Sequence, residues 1–248
     1  MKKRRVLKPR VLNILIILSL IGVLSSAYAL YSDTLVYRQG DVSYQQLRTS
    51  RVSDELSTEG TIQSIDFSLL KSLNSDLVGW IGTEDNEIDY PLVQGEDNEY
   101  YLTHLFTLEK NKLGSIFFDY RNQTDFSDRN TIIYGHNMKD GSMFSSLIEY
   151  KNESYYLANP TLPIFTPDGN YLIEFFAGIV VDGSYESVRF DFKNDMEFME
   201  YVDSLIEQST FKSQIRISEQ DRIVTLVTCS YEYQNARYAL YGRVVALP

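Results

Sequence analysis

Arg222-Ile223-Val224-Thr225-Leu226-Val227-Thr228-Cys229 is a run of β-branched and aliphatic residues that closes on the only cysteine of a 248-residue chain. Such a run reads as a buried strand. The next residues, Ser230-Tyr231-Glu232-Tyr233-Gln234-Asn235-Ala236, are polar enough for a loop, and residues 237–247 are again apolar and aromatic. Two neighbouring strands are therefore expected, with a thiol at the exit of one and the Arg237 guanidinium at the start of the next.

Working outward, residues 131–134 form a second short strand candidate, Thr-Ile-Ile-Tyr, followed by Gly135-His136-Asn137-Met138. A histidine just past a strand and a glycine turn can project toward a neighbouring strand end. The chain has only one other histidine, His104, which sits among Tyr100, Tyr101, Leu102, Leu105 and Phe106 and is read as structural.

Taken together, the Thr-Leu-x-Thr-Cys strand (Thr225, Leu226, Thr228, Cys229), the following Arg237 and the earlier histidine strand resemble the sortase family of cysteine transpeptidases. The Tyr134-Gly135-His136-Asn137-Met138 form, and the text Gln94-Gly95-Glu96-Asp97-Asn98-Glu99-Tyr100-Tyr101-Leu102, are similar to class B sortases in particular. The resemblance implies a mainly β fold: a closed eight-stranded barrel with N-terminal helices and a helix before the cysteine strand. It also implies three catalytic residues: Cys229 as nucleophile, His136 as proton carrier and Arg237 as oxyanion donor. Arg243, further along the last strand, is the alternative arginine.

The implied reaction is cleavage of a sorting motif, with Thr at the cut bond, near the C-terminus of a surface protein. A thioacyl-enzyme follows, then transfer to an amine. The amine is on a cell-wall peptide (lipid II or peptidoglycan), or is a pilin lysine as in some relatives. Some class B relatives carry Ser in the x position and Glu after the cysteine as substrate contacts. Val227 and Ser230 stand there in this chain, so that contact does not carry over.

An ordinary thiol is mostly protonated at neutral pH, so a nucleophilic cysteine needs positive neighbours. His136 and Arg237 are the residues the two motifs offer. A papain-like protease also pairs Cys with His, but there the cysteine precedes the histidine and opens a helix. A non-catalytic anchored binding domain is the remaining alternative; it would leave Cys229 no more reactive than in an unfolded chain.

Composition narrows the partners. The formal charge is −11, yet the first ten residues hold Lys2, Lys3, Arg4, Arg5, Lys8 and Arg10 without an acid, leaving 17 basic residues against all 34 acidic ones. Nucleic acid is excluded as a partner, since phosphate binding needs concentrated positive charge. A single cysteine forms no internal disulfide, no Cys/His set has metal spacing, and no cofactor is expected.

Residues 11–32 carry no charge, and at 1.5 Å per residue they span about 33 Å, enough for a hydrocarbon core. Positive charge before the span sets the N-terminus in the cytoplasm. Ala27-Tyr28-Ala29 would suit a cleavage site, so a signal peptide competes with a retained anchor. The expected division is a cytoplasmic basic tail (1–10), a single-pass membrane anchor (11–31), an extracellular stalk becoming a helix (32–65, with Tyr44, Leu47, Val52 and Leu56 as a weak stripe) and an extracellular catalytic domain (66–248).

Within that domain, Asp66 is expected to cap a helix over 67–73. Strands are expected at 78–81, 88–93, 115–119, 131–134, 162–166 and 171–181, with Pro91 marking an edge or strand end. Helices are expected at 97–105, 143–150 and 194–208, the last from Phe198, Val202, Leu205 and Ile206 on one face.

Overall fold

Residues 9–49, 51–53, 63–82, 87–183 and 188–247 are described by the computed structural model. The basic cluster up to Lys8 and stalk residues 54–62, Leu56 among them, lie outside the described residues.

The chain enters through one long helix, α1 (Pro9–Arg48), about 60 Å at 1.5 Å per residue. The segments expected as an anchor and the start of a stalk run as one continuous helix up to Arg48. The N-terminal apolar half is exposed at Val11 and from Asn13 to Leu30. The other half packs on the barrel, burying Tyr44 and Leu47, and the Tyr44 hydroxyl donates to the Gly114 carbonyl at 2.5 Å. Gly40 lies at this close approach, where a Cβ would stand 2.9 Å from the end of the Leu113 side chain. Arg48 closes the helix by pairing with Asp89 at 3.2 Å. Val52 falls outside the helix, in β1 (Arg51–Ser53), which pairs with β2 (Gln63–Ile65) as a small antiparallel ribbon.

Asp66 caps α2 (Phe67–Leu73) as expected, its Oδ1 accepting from the Leu69 amide at 2.9 Å. Eight strands then build the barrel: β3 (Leu77–Gly82), β4 (Asp89–Val93), β5 (Ile116–Phe118), β6 (Asn130–Tyr134), β7 (Thr161–Thr166), β8 (Gly169–Asp182), β9 (Ile223–Cys229) and β10 (Ala236–Ala246). The barrel closes in the order β10-β8-β7-β3-β4-β5-β6-β9. All pairs are antiparallel except β4 with β5 and β6 with β9. Pro91 sits within β4 rather than at its end. It faces Trp80 of β3, one residue before pairing with β5 begins at Leu92.

Side-chain alternation sorts β9 and β10 onto two faces. Val224, Leu226, Tyr238 and Leu240 join the apolar interior of the barrel. Val227, Ala239 and Tyr241 join a second cluster on the outside. That outer cluster is covered by α4 (Asp195–Gln208), which buries Phe198, Val202 and Leu205, each contributing about 1.5–3 kcal/mol of hydrophobic burial. Six barrel strands precede α4 and two follow, matching the expected position. Two of its acids are paired: Asp195 with Arg129, and Glu197 with Arg189.

Two expected helices are corrected. Residues 97–105 form only one 3₁₀ turn, Tyr100–Leu102. Asp97 Oδ1 accepts from the Glu99 and Tyr100 amides at 2.8 Å each. The Tyr101 and Thr103 carbonyls, which a helix would use, accept instead from Ser115 and Asn111 at 2.9 Å. Over 143–150, Met143 has φ 59°, and helical structure is a 3₁₀ segment, Ser145–Lys151. The short α3 (Glu153–Ala158) follows it, capped by the Asn152 side chain.

Candidate active site

The parallel pairing of β6 with β9 sets Tyr134 opposite Val227. The match continues beyond the strand: the Gly135 amide donates to the Val227 carbonyl at 3.1 Å, and the Thr228 hydroxyl donates to the Gly135 carbonyl at 2.8 Å. Asn137 Nδ2 then donates to the Cys229 carbonyl at 2.9 Å. Two residues past Tyr134, His136 is thereby carried to the level of Cys229, two past Val227. Gly135 permits this path, since a Cβ there would lie 2.6 Å from the Phe144 ring.

On its other side β9 pairs with β10, and the residue opposite Cys229 is Arg237. Opposed residues share a face, and this is the outer face, with Val227, Ala239 and Tyr241. The three residues expected from the sequence thus meet at one edge of the barrel, in the order His136, Cys229, Arg237 across three adjacent strand lines. Cys229 is a half-buried free thiol.

His136 Nε2 lies 2.7 Å from the Leu102 carbonyl oxygen. A carbonyl only accepts, so Nε2 carries a proton in either charge state of the ring, and proton exchange falls to Nδ1. His104 is held elsewhere: Nδ1 is 2.8 Å from the Tyr100 carbonyl and the ring stacks on Tyr100 at 4.0 Å. Arg237 Nη1 donates to the Ala236 carbonyl at 3.0 Å, and its side chain borders a cavity of about 210 Å³ shared with Leu102, Phe117, Tyr134, Val181 and Val227. Arg243 stands opposite Ile223, about 20 Å down the strand from Cys229 at 3.3 Å per residue, and is bound to Glu174.

Sequence reasoning missed the packing behind the loop that follows the cysteine. Ser230 is buried, and Lys151 Nζ donates to its hydroxyl at 2.9 Å and pairs with Glu232. No local signal links Lys151 to a loop about 80 residues away, so only the fold reveals it. Lys151, and then Ser230, hold the Glu232 carboxyl at about 2. A carboxyl lowered on folding adds stability above its ordinary value of 4.5, and that contribution is lost as pH falls toward about 2. The pair is partly exposed, so its weight is small. Thermal melts should show a wild-type advantage over Glu232→Gln that is level above pH 4.5 and shrinks below it. An advantage that grows on acidification would contradict this linkage.

A closed barrel with cysteine, histidine and arginine at one strand edge is the arrangement the sortase resemblance implies, and comparison with known proteins bears on the family. The sortase domain model matches residues 82–245, and the chain belongs to the sortase family of cysteine transpeptidases. Its relatives place it with class B. It is 43% identical over 178 residues to sortase B of Listeria monocytogenes, covering 71% of this chain and 72% of that one. It is 30% identical over 238 residues to sortase B of Staphylococcus aureus, covering 95% and 97%. Among solved structures, a Staphylococcus aureus sortase B–substrate complex superposes with a TM-score of 0.75 at 27% identity, covering 86% of this chain and all of the other.

Proposed function

We propose that this chain is a membrane-anchored sortase that cuts a C-terminal sorting motif of surface proteins and transfers the upstream part to a cell-wall peptide amine on the outer face of a Gram-positive cell. The observation that carries the reading is the alignment of His136, Cys229 and Arg237 at one edge of the barrel, where Arg237 borders a cavity. The Cys229 thiolate attacks the scissile carbonyl carbon, and the negative oxygen is stabilised by the Arg237 guanidinium and nearby backbone N–H groups. The C–N bond breaks as His136 Nδ1 gives its proton to the leaving amine. The acceptor amine then loses a proton to Nδ1 and attacks the thioester carbon, and sulfur leaves as thiolate.

The anchor reading is supported by α1, whose apolar N-terminal part is unburied and long enough to cross a membrane. The same helix packs on the barrel through Tyr44 and Leu47. The domain would therefore be held near the bilayer surface rather than on a loose tether.

The test uses the full chain in detergent micelles with a library of sorting-motif peptides and two acceptors, a cell-wall-type peptide amine and a pilin-type lysine peptide. The expected result is release of the C-terminal fragment and a new amide to the cell-wall-type amine. Joining only to the lysine peptide would make it a pilin polymerase. Absence of cleavage for every peptide would overturn the reading.

A further inference from the structure

Asp119, just past β5, is wholly buried and takes no part in the chemistry above. Its Oδ1 accepts from the Arg121 amide at 3.0 Å and Arg121 Nε at 2.8 Å. Its Oδ2 accepts from Arg121 Nη2 at 2.7 Å, Asn98 Nδ2 at 2.9 Å and the Tyr134 hydroxyl at 3.1 Å. Asn98 is fixed at its other end, where Oδ1 accepts from the Tyr120 amide at 3.0 Å. Asn98 and Tyr134 both line the cavity that Arg237 borders. The Arg121 guanidinium also lies 4.4 Å from the Phe190 ring, on the segment after β8 whose Val188 forms another part of the same wall.

Three separate pieces of the cavity wall therefore converge on one ion pair: the loop holding Asn98, the strand leading to His136, and the connection between β8 and α4. Burial alone would push the Asp119 carboxyl up, but the Arg121 fork and the other donors hold it below the ordinary carboxylate range. It thus stays an acceptor across the working pH range. A buried carboxylate with this many donors fixes geometry, because turning any one donor away leaves a charge unsatisfied.

We propose that Asp119, with Arg121, is a positioning residue that sets the shape of the peptide-binding cavity by orienting Asn98 and Tyr134. This rests on the sortase reading above, with the cavity that Arg237 borders as the seat of the peptide. It predicts an effect on peptide recognition rather than on the thiol. In the full chain, Asp119→Asn should raise KM roughly tenfold or more, the scale of a lost hydrogen bond to a charged group, and leave kcat within about threefold. Alkylation of Cys229 by iodoacetamide should keep its wild-type rate. The probe is the fluorogenic form of the peptide that the library selects.

The cycle with Asn98→Ala separates positioning from general support. If Asp119 acts through Asn98, the double variant should be little worse than Asp119→Asn alone. Should Asp119→Asn fail to fold, Tyr134→Phe and Arg121→Lys carry the test, each raising KM several-fold with kcat retained. Overturning results are a KM within twofold of wild type in a folded variant, an additive cycle, or equal losses of kcat and alkylation rate. Turnover surviving in Cys229→Ala would refute the active-site assignment instead, independently of Asp119.

Discussion

Replacing His136 by alanine is expected to lower peptide transfer by about 10³-fold, within the range of a positioned general acid–base group, while the barrel stays folded. His136 lies past the end of β6, half-buried, and its Nε2 bonds to the Leu102 carbonyl at 2.7 Å. Little packing is lost with it, and the proton for the leaving amine has no other source among the residues aligned with Cys229. His104→Ala is the matched control. Its ring stacks on Tyr100, so it should cost about 0.5–1.5 kcal/mol of stability and leave turnover close to wild type. Single-turnover acylation and thermal melts on both variants decide the matter. A folded His104 variant without activity beside an active His136 variant would reverse the assignment.

Arg237→Lys should slow acylation by on the order of 100–1,000-fold, the cost of removing one oxyanion donor, although the positive charge remains. Lysine lacks the planar fork of donors that arginine presents. Arg237 stands opposite Cys229 and borders the cavity, whereas Arg243 stands opposite Ile223 and is held by Glu174. Arg243→Lys should therefore act on stability and hardly on rate. Pre-steady-state acylation at matched folding is the measurement. A near-normal Arg237→Lys with a crippled Arg243→Lys would move the oxyanion role to the second arginine.

What the sequence made legible was the part of the fold that local chemistry decides. Strand runs such as residues 223–229 announce themselves through β-branched residues, and the two-residue turn Pro167-Asp168 separates β7 from β8. The α4 helix followed from a clean apolar stripe. The helix expected over 97–105 failed because its carbonyls are claimed by residues 111–115, a competition that no window of that length displays. The stalk was underestimated for a related reason: its helix is held by tertiary contacts of Gly40, Tyr44 and Leu47 with the barrel rather than by a strong periodic pattern.

The same division runs through the site. Cys229, His136 and Arg237 stand at strand ends whose order could be read, and the barrel topology aligns them. Lys151 beneath the loop after the cysteine and Asp119 behind the cavity wall could not be read. Each meets its partners only through long-range closure of the chain.

The central claim is that Cys229 carries the acyl group between the two halves of the reaction. Its most direct test is the intact mass of the full chain, quenched in acid during turnover of a library-selected peptide without added amine. A mass increase equal to the N-terminal part of the peptide is expected, mapped to Cys229, discharged by hydroxylamine and absent from Cys229→Ala. Cleavage with no adduct at any time point, or cleavage that persists in Cys229→Ala, would contradict the account.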